Sequence, residues 1–270
     1  MHNLVRVTAS PAEGVEIVSP LAEGERPAAE AMLQKAVLGF FKEIGRPGFG
    51  LRVSLTGNVP VGRGLGYSAT ARLGVVAALS EMTGAKWGRQ ELLDFVTRLE
   101  GHPDNVSPSI FGGFTVSGLV GQRVRCLRFP VSPKVRLVTL IPRFQVSTEA
   151  ARRLLPDTLP RADAAHALNR AALITAAFAA KDYRGLTGVF DDPVHQPYRE
   201  PLIPQLSWVI RAGEAAGAIG GFLSGSGSAI MCLALERAEE VGRAMQVELA
   251  ESEVRILRAE NKGFEIREGG

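Results

Sequence analysis

Apolar and polar residues alternate near residues 3–9, 14–18 and 50–56, the period of strands buried on one face. A helix is read near 28–43. The Ala-, Leu- and Val-rich run over 69–81 predicts a second helix, with Ser68 in its N-cap position. A third helix near 89–100 carries Leu92, Leu93, Phe95, Val96 and Leu99 as its apolar face. Residues 101–109 read as a loop, and 112–129 as a strand pair turning at 118–122. Beyond these come a strand near 136–141 and helices near 148–155, 161–180, 205–216 and 237–250. Strands are read near 219–224, 229–234, 254–259 and 263–267. Strands adjacent to strands predict an α+β fold, not strict βαβ alternation. Phe129-Pro130-Val131-Ser132-Pro133 is the predicted boundary between halves 1–130 and 131–270.

Composition narrows the class. The chain has 270 residues, 46% of them hydrophobic, and a net charge of +3. No apolar run approaches the ~20 residues needed to span a bilayer. Basic and acidic residues are interspersed, without a basic patch interleaved with aromatics, so nucleic acid is not the expected partner. Cys126 and Cys232 lie in apolar strand-like runs, as expected of buried free thiols in a cytoplasmic protein. The P-loop pattern GxxxxGK[ST], the GxGxxG fingerprint and the GxSxG elbow are all missing from the sequence. The histidines at 2, 102, 166 and 195 are scattered without zinc-ligand spacing.

Three segments carry candidate chemistry. The first is Pro60-Val61-Gly62-Arg63-Gly64-Leu65-Gly66-Tyr67-Ser68-Ala69-Thr70, between a strand and a helix. Its glycines permit a tight turn, and the open N–H groups of the following helix suit an anion such as phosphate. A plain connecting turn fits this segment equally well. The second is Glu100-Gly101-His102-Pro103-Asp104-Asn105, at a helix end. A carboxylate there suits Mg²⁺ and the polar residues suit a small substrate, while a capped turn explains the same residues. The third is the small-residue run Ser224-Gly225-Ser226-Gly227, either a close approach to phosphate or a hairpin turn. Arg152, Arg153 and Arg199 stand out as forks matched to carboxylate or phosphate.

Taken together and in this order, the segments resemble the GHMP kinases and, within that superfamily, the homoserine kinases. Residues 60–70 look like the PxxxGLGSSA phosphate loop. Glu100 to Asn105, running into Gly112-Gly113-Phe114, is very close to EGHPDN…GG, and 224–227 looks like the C-terminal glycine motif. Ser147-Thr148-Glu149-Ala150-Ala151-Arg152 and Tyr198-Arg199-Glu200-Pro201 resemble two homoserine-site segments. The resemblance implies a two-domain fold, with a ribosomal S5 domain 2-like N-terminal half and a ferredoxin-like C-terminal half. It implies transfer of phosphate from ATP to the hydroxyl of L-homoserine, a step in threonine biosynthesis, by a cytoplasmic homodimer. Pro60, Val61, Gly62, Arg63, Gly64, Leu65, Gly66, Tyr67, Ser68, Ala69 and Thr70 would wrap the ATP phosphates. Ser68 and Glu100 would lie near Mg²⁺. Asn105 would hydrogen-bond the attacking hydroxyl, His102 and Asp104 would line the pocket, and Arg152 and Arg199 would hold the amino-acid carboxylate. A mevalonate-type GHMP kinase and a non-catalytic nucleotide-binding paralogue are the competing readings.

Two departures from the pattern stand out. Tyr67 occupies the place of the motif's first serine, so a bulky phenol replaces a small hydroxyl. The PATSANLGPGFD-like segment is not found, and Met1 to Val7 looks like the strand that follows it. The chain is therefore expected to begin about 30 residues late, a strand–turn–strand span, with the true start upstream.

Overall fold

The structure, a computed structural model, describes residues 1–19 and 26–267. Asn3–Ser10 (β1) and Gly50–Gly57 (β3) alternate as their sequences require, with Leu51, Val53 and Leu55 of β3 turned inward. The two strands pair antiparallel from Asn3 opposite Gly57 to Ser10 opposite Gly50. Val15–Ile17 (β2) runs parallel to β3 on its other side, giving the order β1-β3-β2. Helices Arg26–Ile44 (α1), Tyr67–Met82 (α2) and Arg89–Glu100 (α3) supply the rest of one core. Leu33, Val37, Phe40, Val75, Val76, Leu79, Leu93 and Val96 meet the inward residues of β3 there. Val106–Phe111 (α4) and a hairpin of Phe114–Val120 (β4) and Arg123–Phe129 (β5) follow.

A second core forms on a four-stranded antiparallel sheet. Arg136–Pro142 (β6) lies between Ile230–Ala234 (β8) and Ser252–Leu257 (β9), and Gly220–Leu223 (β7) pairs with β8. Leu206–Ala215 (α8) and Ala238–Glu248 (α9) pack apolar faces on it through Leu206, Val209, Val241 and Met245. Gly213 and Gly221 leave room for the Cys232 sulfur, which lies 2.6 and 2.8 Å from where their Cβ atoms would stand. Thr148–Arg153 (α5), Arg161–Ala180 (α6) and the single turn Gln196–Arg199 (α7) complete this part. Among the residues of α6, only Ala177 and Phe178 are buried.

The chain divides into two compact units, each made of more than one stretch. One holds residues 1–59, 66–128 and 261–270; the other holds 60–65 and 129–260. In the first unit, the carbonyl of Lys262 accepts from Arg89 Nη1 at 3.1 Å, and the carbonyl of Asn261 accepts from the Arg128 guanidinium. The Arg89 guanidinium stands 5.6 Å from the centre of the Phe264 ring.

The α+β expectation holds, with local corrections. Residues 263–267 are not a strand. They lie against α3 and α4 of their unit, where a Cβ on Gly263 would stand 2.0 Å from the Ile110 carbonyl oxygen. The loop read at 101–109 ends in α4, whose start at Val106 a Pro- and Ser-containing sequence conceals. Ser68 is not an N-cap: α2 begins at Tyr67, two residues before the expected start, capped by Gly66 in the left-handed conformation at φ 77°. Both cysteines are free, Cys232 buried and Cys126 partly so. Among the described residues no helix is long and apolar enough to cross a membrane.

Candidate active site

In the first unit the site is built around the start of α2 and the end of α3. Gly66 N-caps α2 without any side-chain hydrogen bond, and Thr70 N–H is the first to find a helical acceptor, the Gly66 carbonyl at 3.1 Å. The first amides of a helix have no acceptor within it, the arrangement that binds anions at helix starts. The Tyr67 ring packs against the apolar core, and Thr70 Oγ1 donates to the Tyr67 carbonyl at 2.9 Å. Ser68 Oγ donates to Glu100 Oε1 at 2.9 Å. Glu100 is the last residue of α3, which Gly101 ends in the left-handed conformation at φ 86°.

That turn delivers the next polar residues. Asp104 Oδ1 accepts from Asn105 N–H at 3.0 Å and also contacts His102 Nδ1. Asn105 precedes α4 but its side chain does not cap it. Its Oδ1 lies 3.5 Å from where a Cβ on Gly66 would stand, so Asn105 faces the bare backbone at the head of α2. Ser68, Glu100, Asn105 and Gly66 are thus brought together within this unit.

In the second unit the two glycine segments interlock. Gly64, at φ 71°, lies so close to Ser224 that a Cβ would stand 2.0 Å from the Ser224 carbonyl oxygen. Ser224 Oγ donates to the Gly64 carbonyl at 2.9 Å, and Ala229 N–H donates to the Arg63 carbonyl at 3.1 Å. Arg63 secures the loop from its side chain: Nε donates to the Pro142 carbonyl at 3.0 Å and Nη2 to the Arg143 carbonyl at 2.5 Å, both at the end of β6.

Beside this loop lies a buried positive charge without a direct ion pair among the described residues. Arg199, in α7, is 9% exposed, and its Nη1 donates to the Gly225 carbonyl at 2.7 Å. Its Nε is buried and has no partner among the described residues. Asp192 is nearby, but its oxygens accept backbone N–H groups of Val194, His195 and Gln196 at 2.6–3.3 Å. Burial lowers the Arg199 pKa; Asp192 opposes this and the neighbouring charge of Arg152 adds to it. Arg152 stands on α5, opened by Ser147, whose Oγ accepts from Ala150 N–H at 3.3 Å. Thr148 of the same helix lies 3.3 Å from Ser226, Oγ1 to Oγ. Arg199 thus lies beside a glycine turn with Arg152 as a neighbouring charge and, among the described residues, no carboxylate in direct ion pair with it, a geometry suited to an anion.

Residues 31–113 match the family of GHMP kinases N terminal domains, and 169–250 that of GHMP kinases C terminal domains. Over 97% of this chain and 87% of the relative, the sequence is 37% identical to the homoserine kinase of Carboxydothermus hydrogenoformans. The homoserine kinase of Moorella thermoacetica is also 37% identical, over 88% of this chain and 81% of its own length. The chain belongs to the homoserine kinase family of GHMP kinases. The crystal structure of homoserine kinase from Cytophaga hutchinsonii superposes with a TM-score of 0.84 at 25% identity, covering 97% of this chain and 87% of that one. The architecture is accordingly the two-domain GHMP kinase fold.

As a member of a kinase family the chain uses ATP. Glu100 and Ser68 place one carboxylate and one hydroxyl together, and among the described residues no cluster of three or more His, Cys, Asp or Glu side chains offers a self-sufficient metal site. One carboxylate and one hydroxyl suit a hard cation that takes its remaining ligands from phosphate and water. Sequence reading missed two participants. Arg72, one helical turn beyond Ser68, is ion-paired with Glu100. His195 is half-buried beside Asp192, 3.1 Å from its Nε2, with a buried Nδ1 that has no partner among the described residues. The i, i+4 spacing of Ser68 and Arg72 was the available signal for the first; His195 had none beyond its place beside Gln196-Pro197-Tyr198-Arg199.

Proposed function

We propose that this protein transfers the γ-phosphoryl group of ATP to the hydroxyl of L-homoserine, giving O-phospho-L-homoserine for threonine biosynthesis. The observation that carries the substrate reading is Arg199: a nine-tenths buried guanidinium with an unused Nε and a second arginine as neighbour. An amino-acid carboxylate supplies the missing charge, and the named relatives are homoserine kinases. Arg152 and Arg199 hold that carboxylate, and His102 and Asp104 line the pocket. The backbone of 60–70 wraps the ATP phosphates, with the Ser224-Gly225-Ser226-Gly227 turn fixing the loop through Gly64. Ser68 and Glu100 would hold the metal, and a bound Mg²⁺ would neutralise charge on the phosphates. Asn105 hydrogen-bonds the substrate hydroxyl and aims its oxygen at the γ-phosphorus.

In the transfer the hydroxyl oxygen forms a bond to the γ-phosphorus while the bond from phosphorus to the bridging oxygen breaks, and ADP leaves with the electron pair. The hydroxyl proton departs late to a phosphate oxygen, so the protein's work is positioning and charge neutralisation. We take 1–130 as the ATP-binding half and 131–270 as the C-terminal half, a division supported by the family matches over 31–113 and 169–250. A homodimer in the cytoplasm completes the reading. ADP release measured with and without L-homoserine tests it, with product identified by phosphorus NMR. Turnover stimulated by homoserine is expected. Turnover only with mevalonate, or nucleotide binding without turnover, would overturn it.

A further inference from the structure

Helix α2 reads YSATARLGVVAALSEM, and Arg72 is its one charged residue before Glu81. An apolar helix packed on a core on most sides gains nothing from a guanidinium unless something specific receives it. The receiver is Glu100. Arg72 Nη1 is ion-paired with Glu100 Oε1 and donates to Ser68 Oγ at 3.0 Å, with side chains only 15% and 9% exposed for Arg72 and Glu100. Ser68 Oγ also touches the Met32 sulfur at 3.3 Å, which puts an apolar wall beside the pair. The oxygens that Arg72 engages are the same two that the proposed function assigns to the metal. Two cations cannot share one carboxylate oxygen in a poorly hydrated place without strong repulsion.

We propose that Arg72 is a resident counter-cation that closes the Ser68–Glu100 pair to free divalent ions and releases it only to an ion arriving with the nucleotide's phosphates. The inference rests on the reading of Ser68 and Glu100 as metal ligands. It makes metal binding obligatorily coupled to nucleotide. The guanidinium keeps Glu100 oriented and neutralised while the site waits. The phosphates then supply a second acceptor for Arg72 when the metal takes its place.

Mn²⁺ is the probe, its free concentration read by electron paramagnetic resonance with the full chain, alone and with ADP. Wild type should bind Mn²⁺ weakly alone and at least about tenfold more tightly with ADP, Glu100 accepting the metal only when phosphate accompanies it. Arg72→Met should bind Mn²⁺ alone about tenfold more tightly than wild type, one charge-assisted hydrogen bond no longer having to be surrendered. Its melting temperature should fall without metal and recover with Mn²⁺, while wild-type melting ignores Mn²⁺ in the absence of nucleotide. Unchanged or weaker Mn²⁺ binding by Arg72→Met, with Glu100→Gln still impairing binding in the presence of ADP, overturns the role of Arg72 alone. Unaltered Mn²⁺–ADP binding by Glu100→Gln overturns the metal-ligand reading instead. Should Arg72→Met fail to fold, the wild type decides: tight Mn²⁺ binding without nucleotide that Glu100→Gln removes would overturn the proposal, and its absence would support it.

Discussion

Replacing Arg199 with Met removes the charge while keeping the length of the stem, and so separates substrate binding from folding. The structure sets both magnitudes. Towards substrate, the unpartnered Nε represents one charge-assisted hydrogen bond to the homoserine carboxylate, worth ~1.5–3 kcal/mol. That converts to a roughly 10- to 150-fold rise in KM for homoserine, with KM for ATP little changed. Towards stability, the variant loses the 2.7 Å bond to the Gly225 carbonyl, about 1 kcal/mol. It also removes a buried cation that Arg152 repels and no carboxylate directly pairs, which offsets that loss. The melting temperature should therefore stay within about 3 °C of wild type. Initial rates of ADP release, with each substrate varied at saturating levels of the other, give the two KM values, and calorimetry gives the melting temperature. Equal rises in both KM values, or a collapse in stability, would refute an anion-binding role for Arg199.

Gly64→Ala should destabilise by about 1–3 kcal/mol and raise KM for ATP, because its Cβ would meet a backbone oxygen that cannot swing aside. Gly118→Ala, with open space around it, serves as the neutral control in the same thermal-melt series. His195 titrates below its ordinary value because of burial, with Asp192 opposing and Arg199 reinforcing the shift. A histidine so depressed is bound by protons more readily in the unfolded chain, so its contribution is intact above about pH 6.5 and is lost as pH falls towards the folded value. Melting temperatures of His195→Gln should accordingly decline less steeply than wild type below that pH, and parallel profiles would argue against this. Burial pushes the Cys232 thiol up to about 12, and pushes the partly exposed Cys126 up as well. A thiol reagent at pH 8.5 should modify Cys126 first and reach Cys232 only on unfolding; simultaneous labelling would contradict the packing of Cys232 between Gly213 and Gly221.

Periodicity made most elements legible, because each strand and helix of the two cores buries one face and exposes the other. It failed where that contrast is weak. Residues 263–267 alternate like a strand, yet they find no ladder partner and pack through Phe264 and Gly263 instead. The cap of α2 was misplaced because a glycine can begin a helix through its backbone conformation, while a nearby serine matches the usual side-chain signal. The polar residues of the site were legible as motifs: Glu100 ends α3, and Asp104 and Asn105 follow in the turn before α4. What they touch was not. Arg72 and Glu100 are 28 residues apart in sequence, and only the packing of α2 on α3 makes them neighbours. The unused Nε of Arg199 follows from Asp192 being committed to backbone amides, a three-dimensional fact with no sequence signature.

Neither compact unit is a single continuous stretch of polypeptide, and this constrains how the molecule is made. The first unit is finished only by residues beyond 260, where Lys262 and Phe264 meet Arg89. During synthesis that unit must wait, incompletely covered, until residues 261–264 have left the ribosome. The segment 60–65 likewise emerges long before the strands that receive it. Stalling translation shortly before residue 261 should leave a nascent chain susceptible to protease near α3 and α4, a vulnerability that Lys262, Gly263 and Phe264 close.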